Sequence, residues 1–485
     1  MLAIQRQLSP SFYAILSLPS TAMGFALSVQ ISALSWILTT QYGLDIHDVG
    51  LVWAAGPLAG IIGQVLIGII SDKVWLWRGR RRPFILVGGV LAALMLLALP
   101  SIDVISDSMG IGGILGVAIA VALTLDLAIN ISFNPTRAII ADVTPSGDAR
   151  TKGYTWMQTI SGSFGVIAYG IGAVWDNYAL IYFGVGLVLL FSLIPPFFIE
   201  EPRELEDDSD TPEQSNAGFS EIMMNIQPLW GFLIYDVYAM TLRLAHIEVD
   251  HYYVEYACVA LTIYLVFKAL FTKEEGLSHH EAGLVGFKKV LAAHSFSWIG
   301  VQTMFIYMVA YTQFAMPDLD DASMGRTVSM AFLVLSAISA VLPAFVLEPI
   351  SEKLGRVRTH TLCLAIMAVG YFAIANMVSG PTSLYILMAI VGIGWGAIVS
   401  LPFAIMSVKV NQAQMGLFMG LFNLSVVLPQ LVASLGIGLL ISRAEDKSIV
   451  FIICAVCLAL SALCWSKVGE DQTSAAQQTP MGGGH

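Results

Sequence analysis

The apolar residues of this chain are gathered into runs of about twenty or more, the length of helix that crosses the hydrocarbon of a bilayer. Crossings fall at 11–40, 46–71, 83–101, 110–141, 153–175 and 178–199, and, after a long interruption, at 290–316, 328–348, 359–379, 382–408, 412–441 and 448–466. No water is at hand inside a bilayer to satisfy an open backbone, so each run is expected to be an α-helix. The expected fold is therefore an all-α membrane protein with 12 core transmembrane helices in two pseudo-symmetric six-helix halves. Composition agrees, with 57% hydrophobic and only 12% charged residues, where soluble domains carry about a quarter.

The division that follows is an N-terminal half at 1–199, a central linker at 200–289, a C-terminal half at 290–467 and a tail at 468–485 rich in Gln, Ser and Gly, expected to be disordered. The linker opens with an acidic run from Glu200 to Asp210, expected to be solvated. Two further apolar stretches follow, Pro228 to Ile247 and Tyr252 to Phe271, interrupted by Asp236, Arg243, Glu255 and Lys268. We read them as a two-helix insertion, since an even number of crossings preserves the orientation of the second half. The alternative is a pair of amphipathic helices lying in the membrane interface.

Orientation follows from the basic residues. The loop after the second run carries Lys73, Arg78, Arg80, Arg81 and Arg82, whereas the loops after the first and third carry Asp45, Asp48, Asp103 and Asp107 without Lys or Arg. Arg150 and Lys152, and Lys353, Arg356 and Arg358, repeat the bias; Arg443 and Lys447 run against it, offset in part by Glu445 and Asp446. Both termini are expected in the cytoplasm and the protein in the plasma or inner membrane. The first run lacks a basic leader and a small-residue cleavage site, so it is expected to be retained.

Several function classes are disfavoured. The net charge is −11 and the 23 basic residues form no patch, so no nucleic-acid partner is expected. The five cysteines, Cys258, Cys363, Cys454, Cys457 and Cys464, lie in apolar segments without the spacing of a disulfide framework or a metal site. His246, His251, His279, His280 and Glu281 lack a ligand spacing and are expected to be loop residues. The phosphate-binding loop of an ATP-driven pump is missing. No cofactor and no metal are expected, and no enzyme, because no second acid, histidine pair or nucleophile converges on the acid described next.

That acid is Asp126, inside the apolar stretch from Ile111 to Ala141. An ionised carboxylate near a bilayer centre costs a few kcal/mol or more, so such groups face a cavity and serve an ion or proton path. At 100° per residue, Asn130 and Arg137 share its helix face, with Arg137 about 16 Å further along the axis, too far for a salt bridge. The nearer partner expected for Arg137 is Asp142 or a carboxylate of another helix. Pro135, between them, is expected to loosen the backbone.

The loop after the second run, Ile70-Ser-Asp-Lys with Gly79 and Arg80-Arg-Arg82, is echoed after the eighth by Ile350-Ser-Glu-Lys with Gly355 and Arg356. An acid at a helix end can latch onto guanidinium groups of the next loop and release them as helices tilt. The gating set is therefore Asp72, Arg80, Arg81, Arg82, Asp142, Glu352 and Arg356.

This arrangement resembles the major facilitator superfamily, in which two six-helix halves rock about a central site. The likeness narrows at Gly56-Pro-Leu-Ala-Gly through Gly79-Arg-Arg-Arg-Pro-Phe-Ile, and at Asp126-Leu-Ala-Ile-Asn-Ile-Ser-Phe-Asn-Pro-Thr-Arg-Ala-Ile-Ile-Ala-Asp142. Both are similar to plant sucrose transporters and their animal and bacterial relatives, of the glycoside-pentoside-hexuronide:cation symporter type. The resemblance implies that Asp126 is the proton-coupling group and that Arg137 matches the family's fourth-helix arginine. Two places depart from the plant pattern: the seventh helix keeps His294-Ser-Phe-Ser-Trp-Ile-Gly without the acids that follow, and His47 lies beside the position of the plant outer-loop histidine, which is Ile46 here.

The function expected is a proton-coupled symporter of a disaccharide such as sucrose or maltose, with H+ as the co-transported ion. Substrate-binding candidates are Asp126, Asn130, Gln64, Gln158 and Arg137. A wider set of polar and aromatic groups suited to a sugar comprises Gln30, Asn423, Gln430, Trp298, Trp395 and Phe133. Gly392, Gly394 and Gly396, around Trp395, are expected to serve close helix packing. Sodium would ask for several hard oxygens in one shell, and the Asp126 face offers one acid and one amide. The alternatives are a sodium- or cation-coupled glycoside symporter and a transporter-like sugar sensor. The partners expected are the sugar, the proton and membrane lipid, with the chain working as a monomer.

Overall fold

The computed structural model describes residues 5, 7–60, 75–110, 113–145, 148–202, 219–245, 247, 249, 251–342, 346–410 and 415–470. Among these the chain is helical. In order the helices are α1 (Pro10–Thr40), α2 (Ile46–Trp53), α3 (Arg82–Ala98), α4 (Ile102–Met109), α5 (Ile114–Val143), α6 (Asp148–Val174), α7 (Asn177–Leu193), α8 (Phe219–Asn225), α9 (Trp230–Leu244) and α10 (Tyr253–Phe271). The second half follows as α11 (His279–Ala315), α12 (Asp321–Leu342), α13 (Glu348–Leu354), α14 (Arg356–Met377), α15 (Pro381–Ser407), α16 (Met415–Val432), α17 (Gly438–Arg443) and α18 (Ile449–Trp465). A π-helical stretch, Ala433–Ile437, joins α16 to α17. Among the described residues nine helices are long and apolar enough to cross a membrane, and the protein is a multi-pass membrane protein.

Helix starts are written locally. Ser9, Asp45 and Asp176 each accept a backbone N–H of the first turn of α1, α2 and α7, filling donors that a helix start leaves open. Helix α11 starts at His279, eleven residues before the expected run, because Ser278 and Glu281 close a reciprocal cap there. His279, His280 and Glu281 are thus a helical first turn, not a loop. Pro19, Pro135, Pro402 and Pro429 lie inside α1, α5, α15 and α16; neighbouring helices in a bundle tolerate the lost backbone bond.

Two acids expected in solvated or disordered segments are instead docked. The Glu201 carboxylate accepts the backbone N–H groups of Arg80, Arg81 and Arg82, at 2.6–2.8 Å, at the start of α3. The Glu470 carboxylate accepts those of Val357 and Arg358, at 2.8 and 3.1 Å, at the start of α14. A carboxylate is favoured at a helix N-terminus by the open N–H groups and the dipole. The two halves thus repeat one device, the chain after the last helix of each returning to cap its third. The rest of the acidic run, 203–210, and the tail from 471 lie outside the described residues.

The end of the bundle bearing Arg80–Arg82 is called here the basic end, and the one bearing Asp45 and Asp103 the acidic end. The hairpin α9–α10 runs between them. Arg243, at the C-terminal end of α9, reaches His47 at 3.4 Å, and Arg443 donates to the Tyr252 hydroxyl before α10 at 2.5 Å. At the other end of α10, the Lys467 ammonium lies 5.6 Å from the Phe271 ring centroid.

Candidate functional site

The helices place Asp126 at the meeting of three elements. It projects from the middle of α5, is 6% exposed, and accepts a hydrogen bond from Gln30 Nε2 of α1 at 3.0 Å. The carbonyl oxygen of that amide, Gln30 Oε1, is buried without a partner. The third wall is Gly56, where a Cβ would stand 3.3 Å from an Asp126 carboxylate oxygen. A glycine in the Gly56-Pro57 sequence therefore lets the backbone come against the acid.

Around this centre the candidates separate. Asn130 is half buried, one turn below, with its amide donating to the Asp126 backbone carbonyl at 2.8 Å. Arg137 is exposed toward the basic end, its guanidinium carbon 4.2 Å from the Phe133 ring centroid, and Tyr154 donates to its backbone carbonyl. The pairing of Arg137 with Asp142 expected from the sequence is replaced by another: Asp142 pairs with Arg81 at 2.9 Å, both side chains 9% exposed. The bridge binds the loop before α3 to the last turn of α5. Arg82 is spent on carbonyls of Pro196 and Ile199, Arg80 is half buried and Arg356 exposed. Gln64, Asp72 and the side chain of Glu352 lie outside the described residues.

Gln158 is exposed on α6 together with Thr159, Gly162 and Ser163, a polar stripe across the middle of that helix. Asn423 is half buried, and Gln430 donates to Gln302 at 3.1 Å, a bond between helices of one half. Two of the three aromatic candidates, Trp298 and Trp395, stand in a row that sequence reasoning did not extend: Trp298 meets Trp395 at 5.8 Å, Trp395 meets Phe305 at 5.5 Å, Phe305 meets Phe332 at 5.6 Å, and Phe332 meets Tyr169 of α6 at 5.9 Å. Gly392 and Gly396 abut Leu335 to Ser339 of α12 and Gly394 abuts Met367 of α14, the close packing expected. Trp298 also donates to His294 Nε2 at 2.9 Å.

The halves are joined toward the acidic end. Ser32 of α1 and Ser329 of α12 are 2.6 Å apart and both donate toward Asn177 Oδ1. Ser35 donates to the Ile306 carbonyl at 2.9 Å and Trp36 to the Asp321 carbonyl at 2.7 Å. The Tyr169 hydroxyl lies beside Ser28 of α1 and Ser336 of α12. A Cβ on Gly50 would run into Ser434 O at 2.5 Å, so α2 and the π-helical stretch touch through backbone. The polar stripe of α6 and, toward the basic end, Arg137 are exposed instead. The described contacts that join the halves thus lie on the acidic-end side of Asp126.

Sequence reasoning did not settle on Gln30, although it is the one amide in its apolar run and that isolation was the available signal. It missed Glu201 and Glu470, whose partners are backbone groups more than a hundred residues away.

Comparison with known proteins agrees with this geometry. The family profile of the Major Facilitator Superfamily matches residues 16–434. A sucrose transport protein of Oryza sativa subsp. indica, SUT2, is 23% identical over 87% of this chain and 86% of its own length. The general alpha-glucoside permease of Schizosaccharomyces pombe is 29% identical over 32% of this chain and 31% of its own, and the sucrose transport protein SUC4 of Arabidopsis thaliana 31% identical over 33% of each. Among solved structures, the POT family transporter PepTSo superposes with a TM-score of 0.65 at 12% identity, covering 97% of this chain and 99% of that one. The nucleoside transporter NupG gives 0.58 at 12% identity, covering 94% and 98%. A profile matched over nearly the whole length, on an all-helical bundle, makes this chain a transporter rather than an enzyme and a member of the Major Facilitator Superfamily.

Proposed function

We propose that this transporter carries a sugar of the disaccharide class together with a proton, and that Asp126 takes the proton across. The observation that carries the reading is the buried Asp126 carboxylate, held by Gln30 where the two sides of the bundle divide. Relatives named for sucrose and alpha-glucosides support the substrate class.

The chemistry is that of two states of one acid. When ionised, Asp126 accepts from Gln30 Nε2. When protonated it becomes a donor, and Gln30 Oε1, unpartnered now, is the acceptor once the amide turns over. Sugar hydroxyls that replace either bond make proton and sugar occupancy mutually dependent. The half-exposed edges of Trp298 and Trp395 offer apolar faces for the CH surfaces of a sugar ring. Basic loops mark the cytoplasmic side, so the contacts that join the halves lie toward the outside, and the hairpin α9–α10 crosses the bilayer twice.

The test is uptake of radiolabelled sucrose and maltose into proteoliposomes with an inward pH gradient. Accumulation that collapses with a protonophore and in Asp126→Asn is expected. Accumulation that follows a sodium gradient and ignores pH would transfer the coupling to sodium. Sugar binding without uptake would make the protein a sensor.

A further inference from the structure

The hairpin carries an acid that the transport reading does not use. Asp236, in the second turn of α9, is 5% exposed, and neither carboxylate oxygen has a hydrogen-bond partner among the described residues. At 100° per residue it shares a face with Ala239 and Met240, which pack against Ala54, Leu431 and Leu435. Asp236 is therefore on the side of the hairpin turned to the bundle, where α2 meets α16 and the π-helical stretch.

The groups around it do not neutralise a charge. From α10, Glu255 is half buried with Oε2 unpartnered, and Cys258 lies in the field of both acids. On α9 itself are Tyr235 and Arg243, but Arg243 is turned to His47 and Asp48 of α2. Tyr307 of α11 lies beside Tyr235, and Ala433–Ile437 carries no titratable group. Among the described residues an ionised carboxylate here would have no cation and no donor, a state that apolar surroundings strongly disfavour.

We propose that Asp236 is a second proton-binding carboxyl, separate from Asp126, whose protonation holds the hairpin against the acidic-end junction of the two halves. The mechanical link is short. The Tyr235 hydroxyl fills the place of a side chain on Gly436, and two residues earlier the Ser434 carbonyl abuts Gly50 of α2. The hairpin thus braces an irregular turn, of the kind often found at functional sites, that itself closes on the other half. Loss of the proton puts a charge in the brace, which must move toward water and loosen the Ser434–Gly50 contact. Acid conditions favour the closed acidic end and alkaline conditions its opening. This holds whether or not Asp126 couples transport.

Infrared titration of the purified full-length protein tests it, with wild type, Asp126→Asn, Asp236→Asn and Asp236→Leu. A protonated-carboxyl C=O band that persists in Asp126→Asn and is missing from both Asp236 variants is expected. The folded state then holds a proton that the unfolded chain has released, so Tm of Asp126→Asn falls as pH rises, and adding either Asp236 substitution to that background removes the fall. Asp236→Asn is expected to keep gradient-driven sugar accumulation. Spectra and Tm profiles that Asp236→Asn leaves unchanged in the Asp126→Asn background would overturn the proposal. So would failure of both neutral variants to fold, since a place built for an uncharged acid accepts an uncharged side chain.

Discussion

Asp126 and Gln30 illustrate how a single contact ties structure to transport. A hydrogen bond to a charged group is worth about 1.5–3 kcal/mol, so Gln30→Leu is expected to change the pH dependence of uptake while leaving expression and folding intact. In the Asp126→Asn background the same change is expected to do much less. A double-mutant cycle on initial uptake rates measures the difference, and additive effects would detach Gln30 from the acid. Gly56 makes a sterically simpler prediction. A methyl group at 3.3 Å from the carboxylate is tighter than ordinary contact, so Gly56→Ala is expected to lower the rate of sugar exchange without unfolding the protein, read as counterflow against a thermal unfolding control.

At the scale of elements, the two docked glutamates and the Arg81–Asp142 bridge secure the start of the third helix in each half. Removing one cap is expected to lower stability by about 1–2 kcal/mol, so Glu201→Ala and Glu470→Ala should each reduce the thermal unfolding temperature in detergent, and Glu201→Asp should recover part of the loss. Gly355 carries two constraints at once: its φ is +93° and a Cβ there would meet the Glu470 carboxylate. Gly355→Ala should therefore destabilise more than either cap deletion. Breaking a buried ion pair by removing one partner costs about 3–5 kcal/mol. Arg81→Ala and Asp142→Ala are thus expected to be severe singly, with the double substitution milder than their sum.

For the whole molecule, alternating access requires the acidic-end contacts to part. The Ser32 and Ser329 oxygens, 2.6 Å apart, join helices of opposite halves at a separation that a cysteine pair can bridge. In a background freed of the five native cysteines, oxidised Ser32→Cys, Ser329→Cys is expected to lose uptake and to regain it with reductant. Unimpaired uptake of the cross-linked protein would mean that these helices do not separate during transport.

Long apolar runs, the charge bias of their loops, and an acid isolated in one of them are local properties, so the sequence by itself determined a helical membrane bundle of two echoing halves and singled out Asp126. The helix caps at Ser9, Asp45 and Asp176, which the structure shows, are equally local, each side chain serving the backbone N–H three residues on. What the tertiary structure decided is every pairing between distant helices. Gln30 rather than Asn130 or Arg137 holds the acid's side chain, Arg81 rather than Arg137 takes Asp142, and Glu201 and Glu470 return to cap helices over a hundred residues away. Helical periodicity tells which residues share a face, but not which other face meets it. That is set by how the helices cross, and crossing depends on packing over the whole bundle.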